Sequence, residues 1–362
     1  MEYEAMEQYW VWLASVEGMT PKRFYRLLSH FEDARCVWDN VDDTRKFLPE
    51  RVGKALKSAR SERYFYALFD RLERMDIAVI SRLSPLYPAR LTDIFDPPPM
   101  LYVQGSRDLS DEKMLGIVGS RRASYDGKRA ASDIAQGLCR VGKAVVVSGM
   151  ARGIDSSAHA GALKAGGKTI AVTGSGLDII YPPENAKLKR EILETGGSVI
   201  SEYAPGTPPY ATNFPARNRI ISGLSEGVLV VEGRINSGAM ITVNFANEQG
   251  RDVFAVPGSI YSPQCEGPNQ LIFDGAMPVR DHWDLLERFG WAQRPSGKAE
   301  KKQTIELSGD EKTIVDLLKI EQTSFDELVK STGFNTADLN SLLTILQLRG
   351  IIKQLPGKIY RA

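Results

Sequence analysis

The 362-residue chain reads as an α/β protein built on a parallel, doubly wound sheet, with a helical region before the sheet and a small winged-helix unit after it. Three observations predict this. From Leu115 on, short apolar runs ("LGIVG", "AVVVSG", "TIAVTG", "SVISEY", "GVLVVEG", "DVFAVPG") alternate with helical stretches. Those runs are apolar at nearly every position, as in strands covered on both faces. Most of them also end in a glycine turn, the punctuation of strand-to-helix connections in α/β folds.

Each element follows in order. Residues 5–75 read as helices: "MEQYWVWLASV" and "TPKRFYRLLSHF" place apolar residues at helical spacing, and "ARSERYFYALFDRLERM" is a third long helix. Thr20-Pro21 is a cap and first-turn pair. "VEGMTPKRFYRLL" faintly resembles a helix-hairpin-helix DNA clamp, but it lacks the second glycine and its region is acidic, which favours a structural helical bundle. Pro97-Pro98-Pro99 breaks the chain, and "MLYVQG" reads as a short edge strand. Helices are expected in "DGKRAASDIAQGLCRV", "SSAHAGALKAG" and "GAMITVNFANEQ". "AQRPSGKAEKKQT" is polar and aperiodic, so it reads as a linker. Beyond it, "GDEKTIVDLLKI", "SFDELVKST" and "NTADLNSLLTILQLRG" read as three helices and "IIKQLPGKIYRA" as a hairpin, the order of a winged helix. The expected domains are 1–82 helical, 83–291 sheet, 292–304 linker and 305–362 winged helix. The third helix of that last unit offers only Arg349, so contact with protein is at least as well supported there as contact with DNA.

Composition narrows the function. No apolar run approaches the roughly 18 residues of a membrane span, and the acidic N-terminus has no signal-peptide plan, so a cytoplasmic protein is expected. Three cysteines and three histidines show no disulfide or metal-ligand spacing, so neither a metal nor a cofactor is expected. His159 reads as a packing or capping residue. Net charge is +1; residues 114–281 carry 17 basic against 15 acidic groups. If nucleic acid is a partner, its cations must be focused into one groove.

The glycine turns point to such a groove. "GSRRAS" (119–124), "SGMARGID" (148–155), "TGSGLD" (173–178), "EGRINSGA" (232–239) and "PGSIYS" (257–262) fall on one edge of a parallel sheet, where ligands bind and free amides favour anions. Candidate phosphate turns are Gly149 and Gly153, Gly174 and Gly176, and Ser237 with Gly238. Neither a dinucleotide fingerprint nor a Walker loop is present. Arg121 suits a bidentate bond to phosphate; a salt bridge to Asp155 or Glu232 is the alternative. In "NFPARNRIISGLSEGVLVVEG", Asn213 and Pro215 suit a helix start, and Arg217 stands in the first turn. Arg219 shares the opposite face with Ser222 and Gly223, and Phe214 offers a platform for a base. Core packing for Phe214 and carboxylate pairs for both arginines stay open. No nucleophile–base set emerges, and Asp155, Asp178, Glu202 and Glu232 read as turn caps or ribose contacts.

These blocks resemble the DNA-processing protein A family (DprA, also called Smf). "SPLYPARLTDIFDPPPMLYVQG", "GSRRASYDG", "SGMARGIDSSAH", "GGKTIAVTGSGLDIIYPPEN", "SEYAPGTPPYATNFPARNRIISGLS" and "SGAMITVNFANEQGRDVFAVPGS" are all similar to family blocks, and the likeness covers essentially the whole chain. It implies an extended Rossmann domain that binds single-stranded DNA, a helical SAM-like N-terminal domain and a C-terminal winged helix. It further implies a non-catalytic homodimer that protects incoming strands and loads RecA recombinase in natural transformation, with single-strand-binding protein a further candidate partner. The matching DNA contacts are Arg121, Phe214, Arg217 and Arg219, with amides from Gly119 and Ser120. Some members carry lysines where this chain has Pro183 and Ala211. Lys187 and Lys189 are the expected substitutes, with weaker binding than in a lysine-rich member. Two rivals are kept: a phosphoribohydrolase-type enzyme using Glu232 with Arg121, and a protein adaptor dominated by the winged helix.

Overall fold

The structure, a computed structural model, describes residues 5–110, 113–295, 307–355, 357 and 359–361. Two compact units divide the chain, Met1–Arg294 and Pro295–Ala362.

The first unit opens with α1 (Ala5–Ser15), α2 (Pro21–Leu28), α3 (Ala34–Asp39), α4 (Glu50–Ala59) and α5 (Glu62–Arg74). Thr20 caps α2 by accepting from the Arg23 amide at 3.3 Å, as its sequence predicts. Trp12, Phe24, Leu27 and Leu56 form the core of this bundle. The bundle is not a separate domain. Val11 of α1 and Leu72 of α5 share a core with Tyr102, Ile192 and Val199 of the sheet layer. Trp10 Nε1 also donates to the carbonyl of Pro99 at 2.7 Å. The expected boundary at residue 82 therefore falls within a continuous unit, and the sheet already begins at β1 (Ala78–Ser81).

The chain continues through α6 (Ala89–Thr92), β2 (Met100–Gly105), β3 (Met114–Val118), α7 (Tyr125–Gly137), β4 (Val145–Ser148), α8 (Ile154–Lys164) and β5 (Thr169–Thr173). Next come α9 (Ala186–Glu194), β6 (Ser198–Ser201), α10 (Asn213–Leu224), β7 (Gly227–Val230), α11 (Gly238–Glu248), β8 (Asp252–Ala255), α12 (Glu266–Phe273), β9 (Met277–Pro278) and α13 (His282–Arg288). The nine strands order as β1-β2-β6-β5-β4-β3-β7-β8-β9. All pairings from β6 to β9 are parallel, and β1 and β2 add an antiparallel margin. "MLYVQG" is thus the second strand in from the edge, because β1 pairs outside it.

Strand alternation builds two cores. Val118, Val145, Val147, Val228 and Val230 face one layer with Ile220, Ile221 and Leu224 of α10. Leu115, Ile117, Val146 and Leu229 face the other with Ala131, Ile134, Ile154 and Ala158. Each such aliphatic side chain contributes about 1.5–3 kcal/mol on burial. From β3 the chain winds outward through β4 and β5, then returns to place β7 on the other side of β3. The crevice above the ends of β3 and β7 is therefore the topological switch point, where open α/β sheets hold ligands.

The second unit comprises α14 (Gly309–Ile320), β10 (Thr323–Ser324), α15 (Phe325–Thr332), α16 (Thr336–Leu348), β11 (Lys353–Leu355) and β12 (Ile359–Arg361). Ser308–Glu311 and Ser324–Glu327 form capping boxes at α14 and α15. Ile314, Leu328, Leu339, Leu343 and Tyr360 make its core. Of the expected linker, 292–295 are described and 296–304 lie outside the described residues. Among the described residues no helix is long and apolar enough to cross a membrane.

Candidate nucleic-acid interface

A cleft of about 790 Å³ opens at the switch point. The turn after β3 (Gly119–Arg122) forms one wall. Residues of α10, namely Phe214, Arg217, Asn218 and Ile221, form the floor. The turn after β7 and the start of α11, from Arg234 to Thr242, form the opposite wall.

Local sequence explains the walls. Ser120 donates its amide to the carbonyl of Glu232 at 2.7 Å, which clamps the two strand ends together. Glu232 then turns its carboxylate back to the start of α7. It accepts from the amide of Ser124 at 2.8 Å and from Ser124 Oγ at 2.5 Å. A carboxylate at a helix N-terminus is stabilised by the free amides and the helix dipole. The Glu232–Arg121 pair of the enzyme reading is not assembled, since Glu232 is a buried cap and does not line the cleft.

Arg121, Arg122 and Arg234 line the cleft, and all are exposed. Among the described residues none of the three has a carboxylate in salt-bridge range, so the proposed pairs of Arg121 with Asp155 or Glu232 do not form. The guanidinium of Arg121 lies 5.2 Å from the centroid of the Phe214 ring, a cation–π arrangement that holds it over the floor. Tyr181 flanks the same ring at 5.3 Å. Phe214 is half-buried and borders the cleft as expected. The carbonyl of Gly174 lies close by and accepts from Asn213 Nδ2 at 3.0 Å. Asn213 is therefore the first residue of α10 and Thr212 its cap, one place earlier than expected.

The remaining candidates divide. Arg217 borders the cleft but is only 3 % exposed. Its Nη1 donates to the carbonyls of Gly149, at 2.6 Å, and Val172, and its Nε donates to Asn218. Burial pulls its pKa down to about 10, against the pull of Asp155. A side chain this buried does not reach out to a strand backbone, which corrects the role expected for it. Arg219 is 4 % exposed and locked to Glu202 at 2.6 Å, with Asp96 3.5 Å away. It faces away from the cleft because α6 packs on that side of α10, with Leu91 against Gly223.

Lys189 spends its ammonium on the carbonyl of Leu177 at 2.6 Å, and Lys187 pairs with Glu191 at 3.6 Å; neither lines the cleft. Arg122 and Arg234 take the place they were expected to fill. Sequence reasoning passed over both, although each sits inside a glycine turn it had singled out.

The glycine turns divide too. Gly119 and Gly238 line the cleft, and Gly149 borders a small recess beside Phe214. Gly153, at φ +79°, closes its turn against Ser120, and Gly176 donates its amide to Thr207 at 2.9 Å, so both are structural. The amides of Ser120 and Ser237 are spent on carbonyls of Glu232 and Arg234.

His159, on α8, is fully buried. Thr169 Oγ1 donates to Val146, so it accepts from His159 Nδ1, at 2.7 Å. Burial pushes the imidazole pKa down to about 3, so the ring is neutral. It is a packing residue, as expected.

Comparison with known proteins agrees with this geometry. Residues 78–290 match the model of the DNA recombination-mediator protein A family, and residues 298–358 match the DprA winged helix domain. Protein Smf of Synechocystis is 32% identical, over 98% of this chain and 98% of its own length. The X-ray structure of DNA processing protein A from Streptococcus pneumoniae superposes with a TM-score of 0.67 at 36% identity, covering 79% of this chain and 98% of that one. The Helicobacter pylori protein, whose structure is described for its single-stranded DNA binding mode, gives 0.53 at 28% identity, over 59% and 95%.

Proposed function

This chain belongs to the DNA recombination-mediator protein A family, and from that premise we propose that it holds single-stranded DNA in the cleft above β3 and β7, without chemistry of its own. The observation that carries the reading is the set of three guanidinium groups, Arg121, Arg122 and Arg234, which face one cleft and have no carboxylate partner among the described residues. Arginines without carboxylate partners beside aromatic rings that border the cleft suit a flexible polyanion with accessible bases. Phosphates meet the three arginines and the open backbone at Gly119 and Gly238. Phe214 and Tyr181 offer the aromatic surface, and a base reaches Phe214 only as Arg121 swings aside. The relative from Helicobacter pylori, described as binding single-stranded DNA, supports the choice of strand. By family resemblance the bound strand is protected and handed to RecA recombinase in the cytoplasm during transformation, the protein acts as a homodimer, and single-strand-binding protein is a further candidate partner.

Filter binding of an oligothymidylate and of a duplex of equal length, across a salt series, tests the strand reading. The single strand is expected to bind more tightly. Three to five neutralised phosphates give a log–log salt slope of about −2 to −3.5. Equal affinity for duplex, or a slope near zero, would remove it.

A further inference from the structure

Phosphates are common to single and double strands, so cations alone do not explain a preference for one of them. What a duplex hides is the hydrogen-bonding edge of each base. The cleft floor carries two groups suited to that edge. Arg217 and Asp155 both border the cleft, yet they are 3 % and 6 % exposed. With Nη1 and Nε of Arg217 spent on carbonyls and Asn218, its Nη2 has no hydrogen-bond partner among the described residues. Asp155 accepts a long bond, 3.4 Å, from the amide of Ala151, and the backbone of Gly149 also hydrogen-bonds to it. A Cβ on Gly149 would stand 2.6 Å from both Arg217 Nη2 and Asp155 Oδ2. The two groups therefore lie side by side across one glycine, without closing a salt bridge among the described ion pairs. They are held apart because Arg217 is anchored to the Gly149 carbonyl and Asp155 sits in the first turn of α8.

The floor thus presents one N–H donor next to one carboxylate acceptor. Every nucleobase carries the complement on its Watson–Crick edge: N6–H and N1 in adenine, N4–H and N3 in cytosine, O6 and N1–H in guanine, O4 and N3–H in thymine. We propose that Arg217 and Asp155 together receive the Watson–Crick edge of one unpaired base, adenine and cytosine in one orientation and guanine and thymine with the ring turned over, because donor and acceptor exchange places between the two sets. The inference rests on the single-strand reading above and adds a reason for it. A paired base has no free edge to offer, so the pair selects single strands without selecting sequence. Burial strengthens the effect, because polar groups with little access to solvent gain more from a partner and lose more without one.

The test uses the full chain and two labelled oligothymidylates of equal length, one of them methylated at N3 of every thymine. Methylation leaves phosphates, sugars and ring stacking in place and blocks the N–H that Asp155 would accept. Fluorescence anisotropy is expected to show the methylated strand binding about 10-fold weaker or more, the size of one lost hydrogen bond to a charged group. In Asp155→Asn, which keeps the side-chain shape, that discrimination is expected to fall to within about 3-fold. Equal binding of the two strands by the unaltered protein would overturn the inference and leave the single-strand reading intact. Undiminished discrimination in Asp155→Asn would overturn the assignment to this pair. Failure of both strands to bind would overturn the single-strand reading and the inference with it. The comparison in the unaltered protein decides the matter even if Asp155→Asn does not fold.

Discussion

The switch-point cleft and the third helix of the winged unit are both places where proteins of these folds meet nucleic acid, yet they treat arginine in opposite ways. In the cleft, Arg121, Arg122 and Arg234 stand exposed without carboxylate partners among the described residues; Asp155 lies buried in the floor without closing a salt bridge to them, and Glu232 is turned away to cap α7. On α16 there is no basic residue at all, and Arg349, its C-cap, is paired with the buried Glu311 at 3.1 Å. What α16 exposes is apolar, with Leu348 84 % accessible. Fold alone therefore does not mark a DNA site; what marks it is whether the local carboxylates leave the cations free.

Three experiments sharpen or break that contrast. The largest effect is expected from replacing Arg121, Arg122 and Arg234 together by Gln. Single-strand affinity should fall about 100-fold at moderate salt and the log–log salt slope should flatten by about 2, read by anisotropy over a salt series. An unchanged slope would mean that the strand tracks some other surface.

The next effect is acid sensitivity, which the sheet unit should show and the winged unit, having no histidine, should not. The pKa of His159 is held at about 3 in the fold, against about 6.5 unfolded. The unfolded chain therefore binds the extra proton between those values. The stabilisation is complete above about pH 6.5 and is lost as pH falls toward 3, at up to about 1.4 kcal/mol per unit. From pH 7.5 to 5 His159 by itself should cost the sheet unit about 2 kcal/mol, measured by denaturant melts, and His159→Gln should remove that part of the slope. The buried Asp155, whose pKa is raised chiefly by burial, acts in the opposite sense, so the difference between variant and parent isolates the histidine.

The smallest effect is Arg349→Gln. It should cost the winged unit about 1 kcal/mol or less, as its pair with Glu311 is half-exposed on the arginine side, and leave single-strand affinity unchanged. A loss of affinity there would undo the comparison.

Much of this was legible in the residues. Continuous apolar runs ending in glycine predict parallel strands, and the six runs from Leu115 onward correspond to β3–β8. The cap and first-turn pair Thr20-Pro21 starts its helix as such residues do. Arg121 and Phe214 were placed at one edge of the sheet, and they meet there. What failed is of one kind. Arg217 and Arg219 look alike in "PARNR", two positions apart on one helix, but the helix turns one toward the cleft floor and the other into Glu202 and Asp96. Lys189 looked free and is consumed by a carbonyl 12 positions away in the chain. The short helices α12 and α13 have too few residues for a periodic signal, and β1 was hidden at the end of a helical region.

The sequence by itself determined the order of strands and helices, the glycine turns on a common edge and the supply of arginines, because these depend on local propensity and on which residues follow one another. Only the tertiary structure decided which arginines remain free. Charge availability depends on carboxylates and carbonyls brought near from distant parts of the chain, and on how much water each side chain keeps.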